Sequence, residues 1–206
     1  MTQYIHLIDD EPEIRSSLSV LLGTVGWMTK TYDNAQSFLQ SAGELHVLTG
    51  CMLLDIRMSG KTGLALFDEW KQQGLEIPVI IMTGHANVDL CRRAFKSGAF
   101  EFLTKPIDAD LLFDVVGCAL EQQEKLQRQL QKLQLMQNRL ATLTTRENDV
   151  FELSMQGCSS KEIARNFSLS PRTIEAHRAN LFAKLEVNSL PKLMSLYGEL
   201  ALLKKQ

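Results

Sequence analysis

The spacing of apolar residues changes character along the chain. Between residues 4 and 108, short apolar runs alternate with stretches of 3.6-residue periodicity. The runs at 4–8, 51–54 and 77–82 are bounded by polar or turn residues, which predicts strands buried on both faces. Such strands belong to parallel sheets covered by helices. Weaker strand signals fall at 28–32 and 101–103. A helical pattern follows each run. The first has Pro12 in its opening turn, and Asp33 or Asn34 caps the second. The third covers about 62–73, the fourth runs 87–97 and is stopped by Gly98, and the fifth begins near Asp108. This order predicts an α/β, doubly wound domain of five parallel strands.

Beyond residue 110 the alternation stops. From 111 to 140 the chain has no Pro and one glycine, Gly117, and 121–139 is dominated by Gln, Lys, Arg, Glu and Leu. Val116, Ala119, Gln123, Leu126, Leu130, Leu133, Gln137 and Leu140 fall on an a/d heptad stripe. Two of the a positions are glutamine, which weakens pairing, so a solvated linker helix and a dimeric coiled coil both stay open. Three short helices follow within 143–187. Thr144 with Glu147 and Ser159 with Glu162 form capping boxes, and Ser170 precedes Pro171 at a first helical position. Gly157 ends the first of these helices. Residues 167–169 link the second to the third in a helix-turn-helix pattern, and a last helix runs from about 189 to 203. The expected organisation is a domain at 1–118, a linker helix at 119–140 and an all-α domain at 141–206.

The helix predicted at 171–185 has two distinct faces. Ile174, Leu181 and Leu185 form its core stripe. The opposite face carries Arg172, Ala176, Ala179 and Ala183, flanked by Glu175 and Asn180. Asn pairs with adenine, Glu accepts from cytosine and Ala touches a thymine methyl, so this face suits a DNA groove. It also suits a plain exposed helix rich in alanine for propensity. The pattern alone leaves both open.

Composition narrows the classes. The chain has 206 residues, 45% hydrophobic and 22% charged, with net charge −2. The first residues lack a basic region followed by an apolar core, so no signal peptide is expected. No apolar run has the length that spans a bilayer. Cys51, Cys91, Cys118 and Cys158 are scattered without Cys-x-x-Cys spacing, which fits thiols in a reducing cytoplasm. The four histidines show no metal-ligand spacing. Residues 1–118 carry 9 basic and 15 acidic side chains, net −6, and residues 119–206 carry 13 basic and 9 acidic, net +4. An acidic half joined to a basic half suggests a cation-binding head and a polyanion-binding tail.

The chemistry gathers at the strand ends. Parallel sheets bind ligands beyond the carboxyl ends of their strands. There the chain places Asp9-Asp10-Glu11, then Asp55, then Thr83, then Lys105-Pro106. Crowded carboxylates repel unless a cation joins them. An oxygen-only donor set favours Mg²⁺. A metal, a carboxylate nucleophile, a hydroxyl and a lysine together suit phosphoryl transfer.

Asp9-Asp10, Asp55, Thr83 and Lys105-Pro106 resemble the receiver domain of bacterial response regulators over roughly residues 1–120. The resemblance implies that Asp55 accepts a phosphoryl group from a sensor histidine kinase. It implies Mg²⁺ held by Asp10, Asp55 and the backbone carbonyl of Arg57, with Asp9 acting through water. It makes Thr83 and Phe102 the switch pair, and it gives Arg57 and His85 control over water reaching the phosphoryl group. The family usually has Met-Pro-Gly after the acceptor strand; here Met58-Ser59-Gly60 stands, and Ser59 is expected to loosen that loop.

The stretches 143–147, 161–164 and 170–180 resemble the LuxR-type DNA-binding domain over about 141–206, and are similar to the FixJ branch of the NarL/FixJ response regulators. In that family the residues at positions 175, 176 and 179 reach base edges. Glu175, Ala176 and Ala179 are therefore expected on the bases, with Asn180 flanking the same face as a further DNA contact, and Lys161, Arg172, His177 and Lys184 on phosphates, with Arg178 reaching one from the flank. The resemblance implies a cytoplasmic two-component transcription factor that dimerises on phosphorylation, binds double-stranded DNA and meets RNA polymerase. It is not expected to be an enzyme in the usual sense. An aspartate-nucleophile phosphatase would need an Asp two residues past the nucleophile, where Arg57 stands. A phosphorylation-independent regulator with a vestigial receiver is the other rival, and the complete acceptor, metal and lysine positions argue against it.

Overall fold

The computed structural model describes residues 3–58, 62–85 and 87–203, without the side chains of 199–203. The chain forms two compact units, Met1–Gln127 and Arg128–Gln206.

The first unit alternates strand and helix. Its strands are β1 (Tyr4–Ile8), β2 (Thr29–Tyr32), β3 (Gly50–Asp55), β4 (Val79–Thr83) and β5 (Glu101–Thr104). Its helices are α1 (Pro12–Thr24), α2 (Ala35–Ala42), α3 (Gly63–Gln72), α4 (Val88–Lys96) and the start of α5 (Ala109–Ala141). All strand pairs are parallel, in the order β2-β1-β3-β4-β5.

Successive side chains on a strand point to opposite faces, and the core divides accordingly. Ile8, Met52, Leu54, Val79 and Ile81 join Phe38 of α2, Phe67 and Trp70 of α3 and Ala94 of α4. Ile5, Leu7, Cys51, Leu53, Ile80 and Met82 join Leu18 and Leu22 of α1 and Leu112 and Val116 of α5. The central strands β3 and β4 are apolar up to their last residues, Asp55 and Thr83, because both faces are covered. His6 is the polar exception on β1. It stacks on Tyr32, and burial lowers its pKa to about 4, which keeps the ring neutral near pH 7. β3 enters at Gly50, whose φ is +106°; a Cβ there would lie 1.9 Å from the Tyr4 carbonyl oxygen.

The second unit is helical. The last turns of α5 are followed by α6 (Thr145–Met155), α7 (Ser160–Phe167), α8 (Pro171–Leu185) and α9 (Leu190–Leu203). Both expected capping boxes form, Thr144 with Glu147 and Ser159 with Glu162, and the Ser170 side chain caps α8. Ser168 makes the α7–α8 turn in the left-handed region, with φ 55°.

The a/d stripe of α5 does not act as one face. Val116 and Ala119 are spent in the core of the first unit, and Leu140 lies in that of the second. Gln123 is buried as well, while Leu126, Leu130 and Leu133 are exposed.

Candidate functional site

Four strand ends build one acidic site. Register sets Ile8 beside Leu54, so Asp9, the residue after β1, comes level with Asp55 at the end of β3. Thr83 pairs with Thr104, and the Lys105 N–H donates to the Thr83 carbonyl at 2.7 Å, which brings the lysine over the same edge. Its Nζ lies 2.7 Å from Asp9 Oδ2, 3.2 Å from Glu11 Oε1 and 3.4 Å from Asp55 Oδ2.

Asp55 is 2% exposed, and its Oδ1 has no hydrogen-bond partner among the described residues. Burial pushes its pKa up, Lys105 opposes that, and the neighbouring Asp9 adds to it. The Lys105 ammonium is also desolvated, but the carboxylates of Asp9, Asp55 and Glu11 outweigh this and hold its pKa above the ordinary value.

Carboxylate oxygens of Asp9, Glu11 and Asp55 lie within 4.8 Å of one another. Such an oxygen-only cluster, with a buried orphan oxygen, fits a hard divalent cation. Membership departs from the expectation: Glu11 is in this group and Asp10 is not. The Glu11 N–H donates to Asp9 Oδ1 at 3.0 Å.

The remaining positions surround the cluster. Thr83 is fully buried, and its Oγ1 accepts the His85 N–H at 3.3 Å. Phe102 is half-buried against the core face shared by α2, α3 and α4. Arg57 and His85 are exposed, and the Arg57 backbone N–H reaches the Asp55 carboxylate. Ser59 and Gly60 lie outside the described residues.

In the second unit, Ile174, Leu181 and Leu185 are fully buried, whereas Arg172, Glu175, Ala176, Ala179, Asn180 and Ala183 are exposed on the other side of α8. Lys161 is exposed on α7 and His177 is half-buried. Two expected phosphate contacts are engaged internally. Lys184 Nζ bonds Glu147 Oε2 at 2.6 Å and the Thr142 carbonyl at 3.1 Å. Arg178 Nη1 donates to Ser160 Oγ at 2.9 Å, which ties α8 to α7. Lys184 therefore braces the buried Glu147. The pairing was missed because it joins residues 37 apart.

Comparison with known proteins agrees with both halves. Residues 5–117 match the response regulator receiver domain, and residues 141–197 match the bacterial regulatory proteins of the luxR family. The transcriptional regulatory protein FixJ of Bradyrhizobium diazoefficiens is 39% identical over 94% of this chain and 93% of its own. Among solved structures, the response regulator StyR superposes with a TM-score of 0.86 at 30% identity, covering 97% of this chain and 100% of that one. Full-length FixJ from B. japonicum gives 0.58 at 38% identity, covering 96% of each. The chain belongs to the response regulators that join a receiver domain to a LuxR-type helix-turn-helix, two-component proteins that act as transcription factors.

Proposed function

We propose that Asp55 is the phosphoryl acceptor and that its phosphorylation controls self-association and DNA binding. The observation that carries this is the Asp55 carboxylate, buried at a central strand end, with an unpartnered Oδ1 and Lys105 3.4 Å from Oδ2. Asp55 attacks the phosphorus of a kinase phosphohistidine; the new O–P bond forms as the N–P bond breaks. The nucleophile must be ionised, and Lys105 works against the burial that would protonate it. Lys105 and the Thr83 hydroxyl are placed to bond the phosphoryl oxygens. Mg²⁺ would be held by Asp10, Asp55 and the Arg57 carbonyl, with Asp9 through water and Glu11 beside them. When bound, it supplies positive charge to those oxygens.

The signal then passes through Thr83 and Phe102. As the Thr83 hydroxyl turns to the phosphoryl group, Phe102 moves into the vacated space, and the α4–β5 face bearing Arg92, Arg93 and Lys96 repacks to favour a homodimer. The phosphoryl group must bind the two arrangements with different affinity for this to work. The DNA-facing set is Glu175, Ala176, Ala179 and Asn180 on bases, with Lys161, Arg172 and His177 on phosphates. Arg178 keeps its Ser160 bond and offers its remaining N–H groups to a phosphate. The protein is placed in the cytoplasm with a sensor histidine kinase, double-stranded DNA and RNA polymerase as partners. Among the described residues, no helix is long and apolar enough to cross a membrane.

The test is labelled acetyl phosphate with Mg²⁺. Base-labile label should enter the wild type and not Asp55→Asn, with wild-type mass rising in light scattering. Full labelling of the variant would sink the assignment.

A further inference from the structure

A second site lies at the opposite edge of the same sheet. There a cleft of about 390 Å³ opens between the end of α3, the entries to β4 and β5, and α5; its lining includes Lys71, Glu76, Pro78, Phe100, Gln123 and Leu126. That volume is in the range of small-molecule sites. Gln123 is 4% exposed, and its Oε1 has no hydrogen-bond partner among the described residues. A buried amide oxygen without a donor is costly, and nothing in the packing of α5 requires an amide there: the same stripe is filled by Ala119 and Val116 one and two turns earlier. Lys71 and Glu76 add one charge of each sign. Among the described residues neither is in an ion pair, and the Lys71 ammonium lies 5.9 Å from the centre of the Phe67 ring. The Lys71 stem runs past Gly98, where a Cβ would lie 3.9 Å from Lys71 Cε.

We propose that this cleft binds a small zwitterion of the size of a free α-amino acid. The ligand's ammonium donates to Gln123 Oε1 and Glu76, its carboxylate faces Lys71, and its side chain lies along Pro78, Phe100 and Leu126. An orphan acceptor, an anion without a cation partner and a cation without a carboxylate partner in one cleft complement a molecule carrying both charges. The cleft touches α5 at Gln123 and Leu126, so an occupant bears on the root of that helix. Nothing in this reading depends on the phosphoryl chemistry at Asp55.

The test is thermal unfolding of the full chain with each proteinogenic amino acid at about 10 mM. A ligand that binds only the folded state raises the receiver midpoint saturably. At least one amino acid should do so, and its apparent affinity should fall roughly tenfold in both Gln123→Leu and Glu76→Gln, the loss of one charge-assisted hydrogen bond. Glu76 is exposed, so that variant folds irrespective of the cleft. If no amino acid moves the midpoint, or one moves it equally in wild type and both variants, the proposal fails and Gln123 is satisfied by water.

Discussion

The carbonyl oxygen of Asp55 occupies the place where a side chain on Gly63 would begin. A Cβ at position 63 would lie 2.3 Å from that oxygen and 2.8 Å from the Ile56 Cα. The Gly63 N–H donates to the Ile56 carbonyl at 2.9 Å, so α3 starts in direct backbone contact with the acceptor strand. Gly63→Ala must therefore push the helix or the strand end aside. Overpacking of this kind costs about 1–3 kcal/mol. Urea unfolding should show that loss, and labelling by acetyl phosphate should slow, although no charged group has been removed. Unchanged stability and unchanged labelling together would show that the contact relaxes freely.

Asp55 also makes stability depend on pH. Its folded pKa is raised, by burial first and by Asp9 as well. The folded state therefore binds the proton more tightly than the unfolded chain. Its contribution to stability is fully present below the ordinary carboxylate range near pH 4 and is lost as pH rises through the folded pKa. Asp55→Asn removes that loss. The variant should be more stable than wild type at pH 7 without Mg²⁺, and the gap should shrink as the pH approaches 4. Denaturant midpoints at pH 4, 5.5 and 7 would measure it; a gap that does not vary with pH would refute the burial argument.

The basic residues of the second unit should separate into two kinds. Lys161→Ala and Arg172→Ala should weaken binding to all DNA sequences alike and lower the salt slope by about one each. Asn180→Ala should relax discrimination at one base pair by roughly 1–3 kcal/mol. Lys184→Ala should instead destabilise the fold by about 1 kcal/mol, because it strips a donor from the buried Glu147 carboxylate. The Lys184 hydrogen bond is the first cause holding the Glu147 pKa down. A depressed pKa adds stability above the ordinary carboxylate range and loses it as pH falls through the folded value. The wild-type advantage over Lys184→Ala should thus fade in acid. Anisotropy titrations across salt and urea melts across pH would distinguish the two kinds.

Phosphoryl lifetime is expected to depend on Arg57 and His85, both exposed beside the acceptor. If the Arg57 side chain shields the acyl phosphate, Arg57→Ala should shorten its half-life about tenfold, for about 1.4 kcal/mol of lost barrier. His85→Ala should lengthen it if the imidazole orients water, and the wild-type rate should then vary between about pH 5.5 and 8. Equal half-lives in all three proteins would remove both residues from control.

Local rules carried much of this protein. Unbroken apolar runs revealed covered strands, carboxylates at run ends revealed the site edge, and the Thr144–Glu147 and Ser159–Glu162 spacings revealed helix starts, because each of these is set within a few residues. The faces of α8 were also legible, since Ile174, Leu181 and Leu185 are held to one side by helical period alone. Other features depend on segments meeting across the fold. Glu11 joins Asp9 and Asp55 because Lys105, 94 residues away, draws them together. Lys184 turns to Glu147, the Asp55 carbonyl leaves no room for a side chain at Gly63, and Gln123 is buried at the edge of a cleft. Periodicity says which residues share a face; what covers that face, and which charge finds which partner, is decided where distant segments pack.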